Sequence, residues 1–317
     1  MAVDLAVVIV TWNVRDLVLD ALHSLFADLA SSRTTSEVYV VDSASSDDTV
    51  EAVKSTFPQV KLIASAQNLG FAGANNLALK QIGFGSSNSL SLPKAVYLLN
   101  PDTITQLGAT QTLYDALFSD SRIGLVGAAL SYGDGSFQHS AFTFPGLRQL
   151  WVEFFPTPGR LFDSRFNGRY PRELYAMQQP FAVDFVLGAT MMLKSEVIEQ
   201  TRGFDQRFFM YCEEIDWAWR IHQAGWNVCC VPSAHVTHLS GQSASQVRPQ
   251  SLKYLWKSRL LLFDKHYPPI KRAIARKMVA YRMQSKLRQL STAPGFTEKD
   301  RAALSDAYTE IREMSSR

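Results

Sequence analysis

The stretch Ala95-Val96-Tyr97-Leu98-Leu99-Asn100-Pro101-Asp102 decides how the rest of this chain is read. Its first five residues are apolar or aromatic, which predicts a strand covered on both faces of a sheet. Pro101 then stops the ladder, because it has no N–H to donate. Asp102 therefore sits just past the carboxyl end of a central strand, where open α/β sheets bind their ligands. A carboxylate there is placed to hold a hard cation and, through it, a phosphate.

Upstream of this stretch, strands and helices alternate. Leu5 to Val10 predicts a strand closing at Thr11-Trp12-Asn13, and Leu17, Ala21, Leu22, Leu25 and Leu29 then recur at helical spacing. Val38 to Val41 predicts a second strand ending on Asp42, and Ser45-Ser46-Asp47-Asp48 offers caps and first-turn acids for a helix. A short strand, Val60 to Ala64, precedes Asn68-Leu69-Gly70-Phe71-Ala72-Gly73-Ala74-Asn75, which opens another helix, and Gly83 to Ser91 reads as a loop. This cadence predicts an α/β fold with a doubly wound, mostly parallel sheet. Thr11, Asp42 and Asp102 then fall at one edge, as the floor of an acidic crevice of nucleotide size. The turn after the first strand, Thr11 to Asp16, contains no glycine, which excludes the dinucleotide fingerprint of a Rossmann dehydrogenase.

Downstream the pattern is less regular. Ile123 to Leu130 predicts a strand, Phe137 to Gln179 an aromatic excursion, and Phe185 to Leu193 a return to the core. Glu213 to Ala224 reads as a helix stopped by Gly225, and Val228 to Val231 as a strand followed by a loop with His235 and His238. Glu213, Glu214 and Asp216 place three carboxylates on about one helical turn. Dipole compensation and an i,i+4 pair of Asp216 with Arg220 explain Asp216 well. They explain two adjacent glutamates less well, and a carboxylate crowded by like charge and aromatic surface is raised toward general-base duty.

At 317 residues, 46% hydrophobic and 19% charged, the chain suits one large domain with an appendage. No apolar run approaches the roughly 18 residues of a membrane span, and no basic-then-apolar leader precedes the first strand. Three cysteines without a CxxC pair argue for a reducing cytosol and against disulfides or a zinc site. Charge is uneven: Gln246 to Leu290 holds twelve of the 32 bases and one of the 29 acids, leaving 20 bases against 28 acids elsewhere. This tail of basic helices interleaved with Tyr254, Leu261, Phe263 and Tyr267 carries no nucleic-acid recognition motif. It is expected either to pack on the domain or, by preference, to meet an anionic membrane surface. The second reading makes the protein cytoplasmic and peripheral on the inner face of the plasma membrane, with the excursion Phe142 to Phe166 (Trp151, Phe154, Phe155, Phe162) as the facing wall.

Val8 to Asn13, Val41 to Asp47, Asn68 to Asn75 and Leu99-Asn100-Pro101-Asp102, with the later Gly188-Ala189, Gly203-Phe204-Asp205 and Glu213-Glu214-Ile215-Asp216, resemble the family 2 inverting glycosyltransferases, in their bacterial rhamnosyltransferase-like branch. The likeness runs from about Ala6 to Gly241. It implies a GT-A catalytic domain over residues 1–245, with a nucleotide-sugar half (1–102) and an acceptor half (103–245), followed by a helical extension (246–317). It also implies a donor site of Thr11, Trp12, Asn13, Asp42, Asn68, Gly73, Asn75, Asn100 and Asp102. A divalent metal, Mg2+ or Mn2+, would sit on Asp102 and His238, and Glu214 would be the base, supported by Glu213 or Asp216. Two positions depart from the stricter pattern: Asn100 replaces the first acid of the Asp-x-Asp motif, and Glu213-Glu214 stands where Glu-Asp is usual. The implied reaction moves a sugar, rhamnose from dTDP-rhamnose by branch likeness, to a saccharide or lipid-linked saccharide in cell-surface polysaccharide synthesis. A UDP-hexose or UDP-GlcNAc donor is the alternative, and a catalytically silent sugar-nucleotide binding module is the alternative of a different class.

Overall fold

The computed structural model of the chain describes residues 3–86, 92–239, 248–292 and 295–316. Part of the loop expected before the central strand (residues 87–91) and the expected boundary at 245/246 lie outside them. In the first half, β1 (Leu5–Thr11), α1 (Arg15–Leu29), β2 (Ser36–Ser43), α2 (Thr49–Thr56), β3 (Lys61–Ser65), α3 (Gly70–Ile82) and β4 (Ala95–Leu99) alternate as expected. Their strands lie parallel in the order β3-β2-β1-β4. All five residues of β4 are buried, and they alternate between two cores. Ala95, Tyr97 and Leu99 pack with Val18, Leu22 and Leu25 of α1, whereas Val96 and Leu98 pack with Ala72 and Ala78 of α3. Helices cover both faces of the sheet, which is why the central strands read as unbroken apolar runs.

The second half adds β5 (Thr103–Thr105), α4 (Ala109–Phe118), β6 (Ile123–Ser131), the short β7 (Phe137–Gln138) and β8 (Ala141–Phe142), α5 (Leu147–Phe154), α6 (Arg172–Ala176), β9 (Phe181–Val183), β10 (Phe185–Val186), β11 (Thr190–Lys194), α7 (Ser195–Thr201), α8 (Glu213–Gln223) and β12 (Asn227–His238). The sheet continues β4-β11-β6-β12-β5, with β11 antiparallel to both of its neighbours and β12 parallel to β6. Two expectations are corrected here. His235 and His238 lie in a strand, not a loop: β12 runs for 12 residues, and its register on β6 shifts between Val231 and His235, where Pro232 cannot donate to the ladder. The acid directly before α2 does not cap it. Asp48 makes no capping bond, and the Asp47 carboxylate instead accepts from the Arg15 backbone N–H and the Thr49 hydroxyl.

Three helices close the chain, α9 (Arg248–His266), α10 (Pro269–Thr292) and α11 (Glu298–Ser316). They form a third core with the excursion, in which Leu150 and Phe154 of α5 pack against Trp256, Leu260, Phe263, Ala275, Val279, Met283 and Ile311. Leu262 of α9 also enters the core under the sheet, so the tail is packed onto the domain. Part of its charge is matched within the molecule: Lys253 pairs with Asp306 and Glu310, Arg259 with Glu153 of α5, and Arg276 with Asp264.

Candidate active site

Parallel strands bring their carboxyl ends to one edge, and the antiparallel β11 brings its amino end to the same edge. The result is a pocket of about 350 Å³, lined by Thr11 and Trp12, Ser43, Asn68, Gly70 and Phe71, Asn100 to Asp102, Leu187 to Ala189, Met210 and Tyr211, Glu213 and Glu214, and His238. That volume is within the range of small-ligand sites. The backbone locks the edge together: the Asn100 N–H donates to the Ala189 carbonyl at 3.0 Å, and the Leu239 N–H donates to the Asp102 carbonyl at 2.9 Å.

Asp102 and His238 face each other on the pocket floor, with Oδ1 3.4 Å from Nε2 and both side chains nearly buried. The Asn100 Nδ2 lies 3.4 Å from the same Nε2. Five of the ten buried side-chain polar atoms without a partner in the described chain cluster around this pocket: Thr11 Oγ1, Asp42 Oδ1, Asn100 Oδ1, Glu213 Oε2 and His238 Nδ1. Buried polar atoms are normally hydrogen-bonded, so such a cluster marks where the polar atoms of a ligand fit.

On the opposite wall, the first turn of α8 presents Glu213 and Glu214. Tyr211 and Cys212 before it are both left-handed, at φ 71° and 64°, so the chain turns sharply into the helix. Glu214 passes over Gly188, where a Cβ would meet the Glu214 Cβ at 3.6 Å. Glu213 is buried, and Glu214 is open to the pocket on one side. Burial pushes the Glu214 carboxyl up to about 7. Burial, and then the charge of Glu214 beside it, push Glu213 up as well.

Thr11, Trp12, Asn68, Asn100, Asp102, Glu213, Glu214 and His238 thus meet in one pocket, as the sequence predicts. Five other predicted residues do not line it. Asn75 turns into the core and donates to the Phe71 carbonyl of its own helix. Gly73 lies inside α3 against Leu69. Asn13 ties two loops, its Oδ1 accepting from the Ser46 N–H at 2.7 Å. Asp42 lies beneath the floor, paired in register with Thr11, and accepts from the Ser45 N–H at 2.9 Å. Asp216 is fully buried away from the pocket. There its carboxylate meets Arg220 at 2.9 Å, Lys265 at 2.7 Å and His266 at 2.7 Å. Burial pushes that carboxyl up, but the hydrogen bonds from His266 and Lys265 prevail and hold it below the usual range. The pocket also includes Ser43, Gly70, Gly188, Met210 and Tyr211, which sequence reasoning did not single out as site residues. The glycines were the available signal, since each marks a close approach.

Comparison with known proteins bears on the family and the fold. The profile described as glycosyltransferase-like family 2 matches residues 3–256. An N-acetylglucosaminyl-diphospho-decaprenol L-rhamnosyltransferase of Mycobacterium tuberculosis is 30% identical over 247 residues, covering 75% of this chain and 78% of that protein. The rhamnosyltransferase WbbL of Escherichia coli K12 is 25% identical over 181 residues, or 53% of this chain and 65% of that one. In fold, the chain is similar to the mannosyltransferase PcManGT of Pyrobaculum calidifontis, solved with GDP-Man and Mn2+, at a TM-score of 0.54 and 17% identity, covering 100% of this chain and 88% of that one. A mostly parallel sheet, a pocket at its carboxyl edge and a family profile spanning most of the sequence lead to one assignment: the chain has the GT-A fold and belongs to the glycosyltransferase family 2.

Proposed function

We propose that this protein is a metal-dependent, inverting sugar transferase that moves rhamnose from dTDP-rhamnose to a hydroxyl of a lipid-linked saccharide. The observation that carries the reading is the opposition, in one pocket, of the Asp102–His238–Asn100 floor and the raised Glu214 carboxyl. The rhamnosyl and lipid-linked parts rest on the names of the relatives.

The residues present suit a divalent cation. A carboxylate, an imidazole and an amide oxygen without a partner point at one floor. Among the described residues no group of three or more His, Cys, Asp or Glu side chains is set to hold a metal. Such a cation would therefore rest on Asp102 and His238 and complete its shell with substrate oxygens and water, the usual manner of nucleotide-bound Mg2+. When bound it supplies neutralisation of the charge that develops on the leaving diphosphate.

The chain's own groups do the rest. Thr11 Oγ1, buried, without a partner and on the pocket wall, offers an acceptor for the N–H of a pyrimidine base, and Asp42, paired in register with Thr11, backs that wall. Asn13, Ser45 and Ser46 fix the loop wall around it. Glu214 takes the proton of the acceptor hydroxyl while that oxygen forms its bond to the anomeric carbon. The bond from this carbon to the diphosphate oxygen breaks with its electron pair, so one displacement inverts the centre.

Mass spectrometry of products from a panel of nucleotide sugars tests the donor, with rhamnosyl transfer expected. Transfer from a UDP-hexose alone would overturn it. Asp102→Ala is expected to abolish turnover and to weaken nucleotide-diphosphate binding in Mn2+, with His238→Ala milder. Full wild-type activity in excess chelator would rule out the metal.

A further inference from the structure

A second large cavity lies outside the sugar-nucleotide pocket. It is a groove of about 1060 Å³ between α5 and the tail helices. Tyr211 lines both cavities, one on each side of the sharp turn that leads into Glu213 and Glu214. Its side chain is hydrogen-bonded to Ser251, which also lines the groove. The groove therefore meets the pocket at Tyr211, two residues before Glu213, and extends from there between α5 and the tail helices.

Its lining has two characters. Leu252, Leu255, Trp256, Met283 and Leu304 give an apolar wall. Arg282 and Lys286, one helical turn apart on α10, face the same space, and neither has an ion-pair partner among the described residues. This sets them apart from Lys253, Arg259, Lys265 and Arg276, which are paired. The acids of the groove are engaged elsewhere: Glu153 binds Arg259, and Asp300 accepts from the Thr297 hydroxyl. Two free cations beside an apolar wall complement an amphiphile with a compact, multiply charged anionic group.

We propose that this groove seats the prenyl-diphosphate part of a lipid-linked acceptor. Arg282 and Lys286 hold the diphosphate, the apolar wall holds the first isoprene units, and the sugar passes Tyr211 toward Glu214. The inference rests on the transferase reading, but its test does not require turnover. In calorimetric titration of the full chain, farnesyl diphosphate binds, and it binds at least about tenfold more tightly than farnesol or inorganic pyrophosphate. The double variant Arg282→Ala/Lys286→Ala loses at least about tenfold in affinity at an unchanged melting temperature, and Lys286→Glu alone gives a second, independent loss. Absence of farnesyl diphosphate binding, equal binding by the variants, or equal binding of pyrophosphate alone would overturn the groove. Acceptor-independent donor hydrolysis by the wild type is measured alongside. Hydrolysis without farnesyl diphosphate binding removes only the groove, whereas loss of both hydrolysis and transfer removes the transferase reading and the acceptor role with it.

Discussion

Glu213 and Glu214 occupy the first turn of one helix, and their crowding makes the pocket sensitive to pH. With its carboxyl pushed up to about 7, Glu214 in the proposed role of base would accept a proton only above that point, so kcat is expected to rise with pH through neutrality. Glu214→Gln should lower kcat by about 10²–10⁴ with donor affinity nearly unchanged. If Glu213→Gln were instead the inactive variant, the base would be one residue earlier. Stability runs the other way. A carboxyl whose folded value is raised releases its proton in the unfolded chain first, so stability falls as pH rises from the ordinary glutamate value of 4.5 toward the folded one. Glu213→Gln should therefore raise Tm at pH 8 and leave it unchanged below about pH 4, which thermal melts at the two pH values check. The paired glutamates and Asp102 were legible in the sequence because helix and strand periodicities placed them without knowledge of packing. Asn75 was not, and of the partners of Asp216 only Arg220 was. A polar residue at a helix start or first turn looks the same whether it faces a pocket or, as here, a helix interior and a buried ion cluster.

At the scale of elements, the pocket depends on close backbone approaches. Gly70 opens α3 at φ +65°, and a Cβ there would lie 2.2 Å from the Phe209 carbonyl oxygen, which itself accepts the Phe71 N–H at 3.0 Å. The Asn68 Oδ1 accepts the Gly70 N–H at 2.9 Å and fixes that turn. Gly70→Ala combines a left-handed penalty with a backbone clash, so a loss of at least about 2 kcal/mol is expected in urea unfolding, with donor affinity falling in parallel. Strand content was legible, because residues alternating between two cores give long apolar runs. The reversed direction of β11 and the full length of β12 were not. A strand's direction is set by its partners, and the proline at the register shift looks locally like an end.

At the scale of the whole molecule, one buried cluster joins the sheet domain to the tail. Asp216 on α8 meets Lys265 and His266 on α9, and Lys265 also reaches Asp205 at 2.8 Å. His266 stacks on Trp219 at 4.6 Å between ring centroids, and Trp219 stacks on Phe144 of the excursion at 4.1 Å. Removing one member of a buried charge cluster costs about 3–5 kcal/mol, because the remaining charges keep their desolvation without their partner. Asp216→Ala should accordingly lower Tm by several degrees, whereas Arg207→Ala, which removes a largely exposed guanidinium and leaves Asp205 paired with Lys265, should shift it less. The positive balance of the tail was plain from composition. Its partners were not, since they lie on α5, α8 and α11, up to 106 residues away in sequence.

The Asp216 cluster also bears on how such enzymes diversify. Its acid belongs to the sheet domain and two of its bases belong to the tail. Each part thus carries half of a password. Recombination that exchanged tails among relatives would give a hybrid of full stability only when the incoming segment brought equivalents of Lys265 and His266. Without them the buried carboxylate would keep Arg220 alone of its three partners. A tail would then be exchanged as a unit, bringing its side of the proposed acceptor groove, while Glu153, Phe154 and Tyr211 on the other side stayed with the sheet domain.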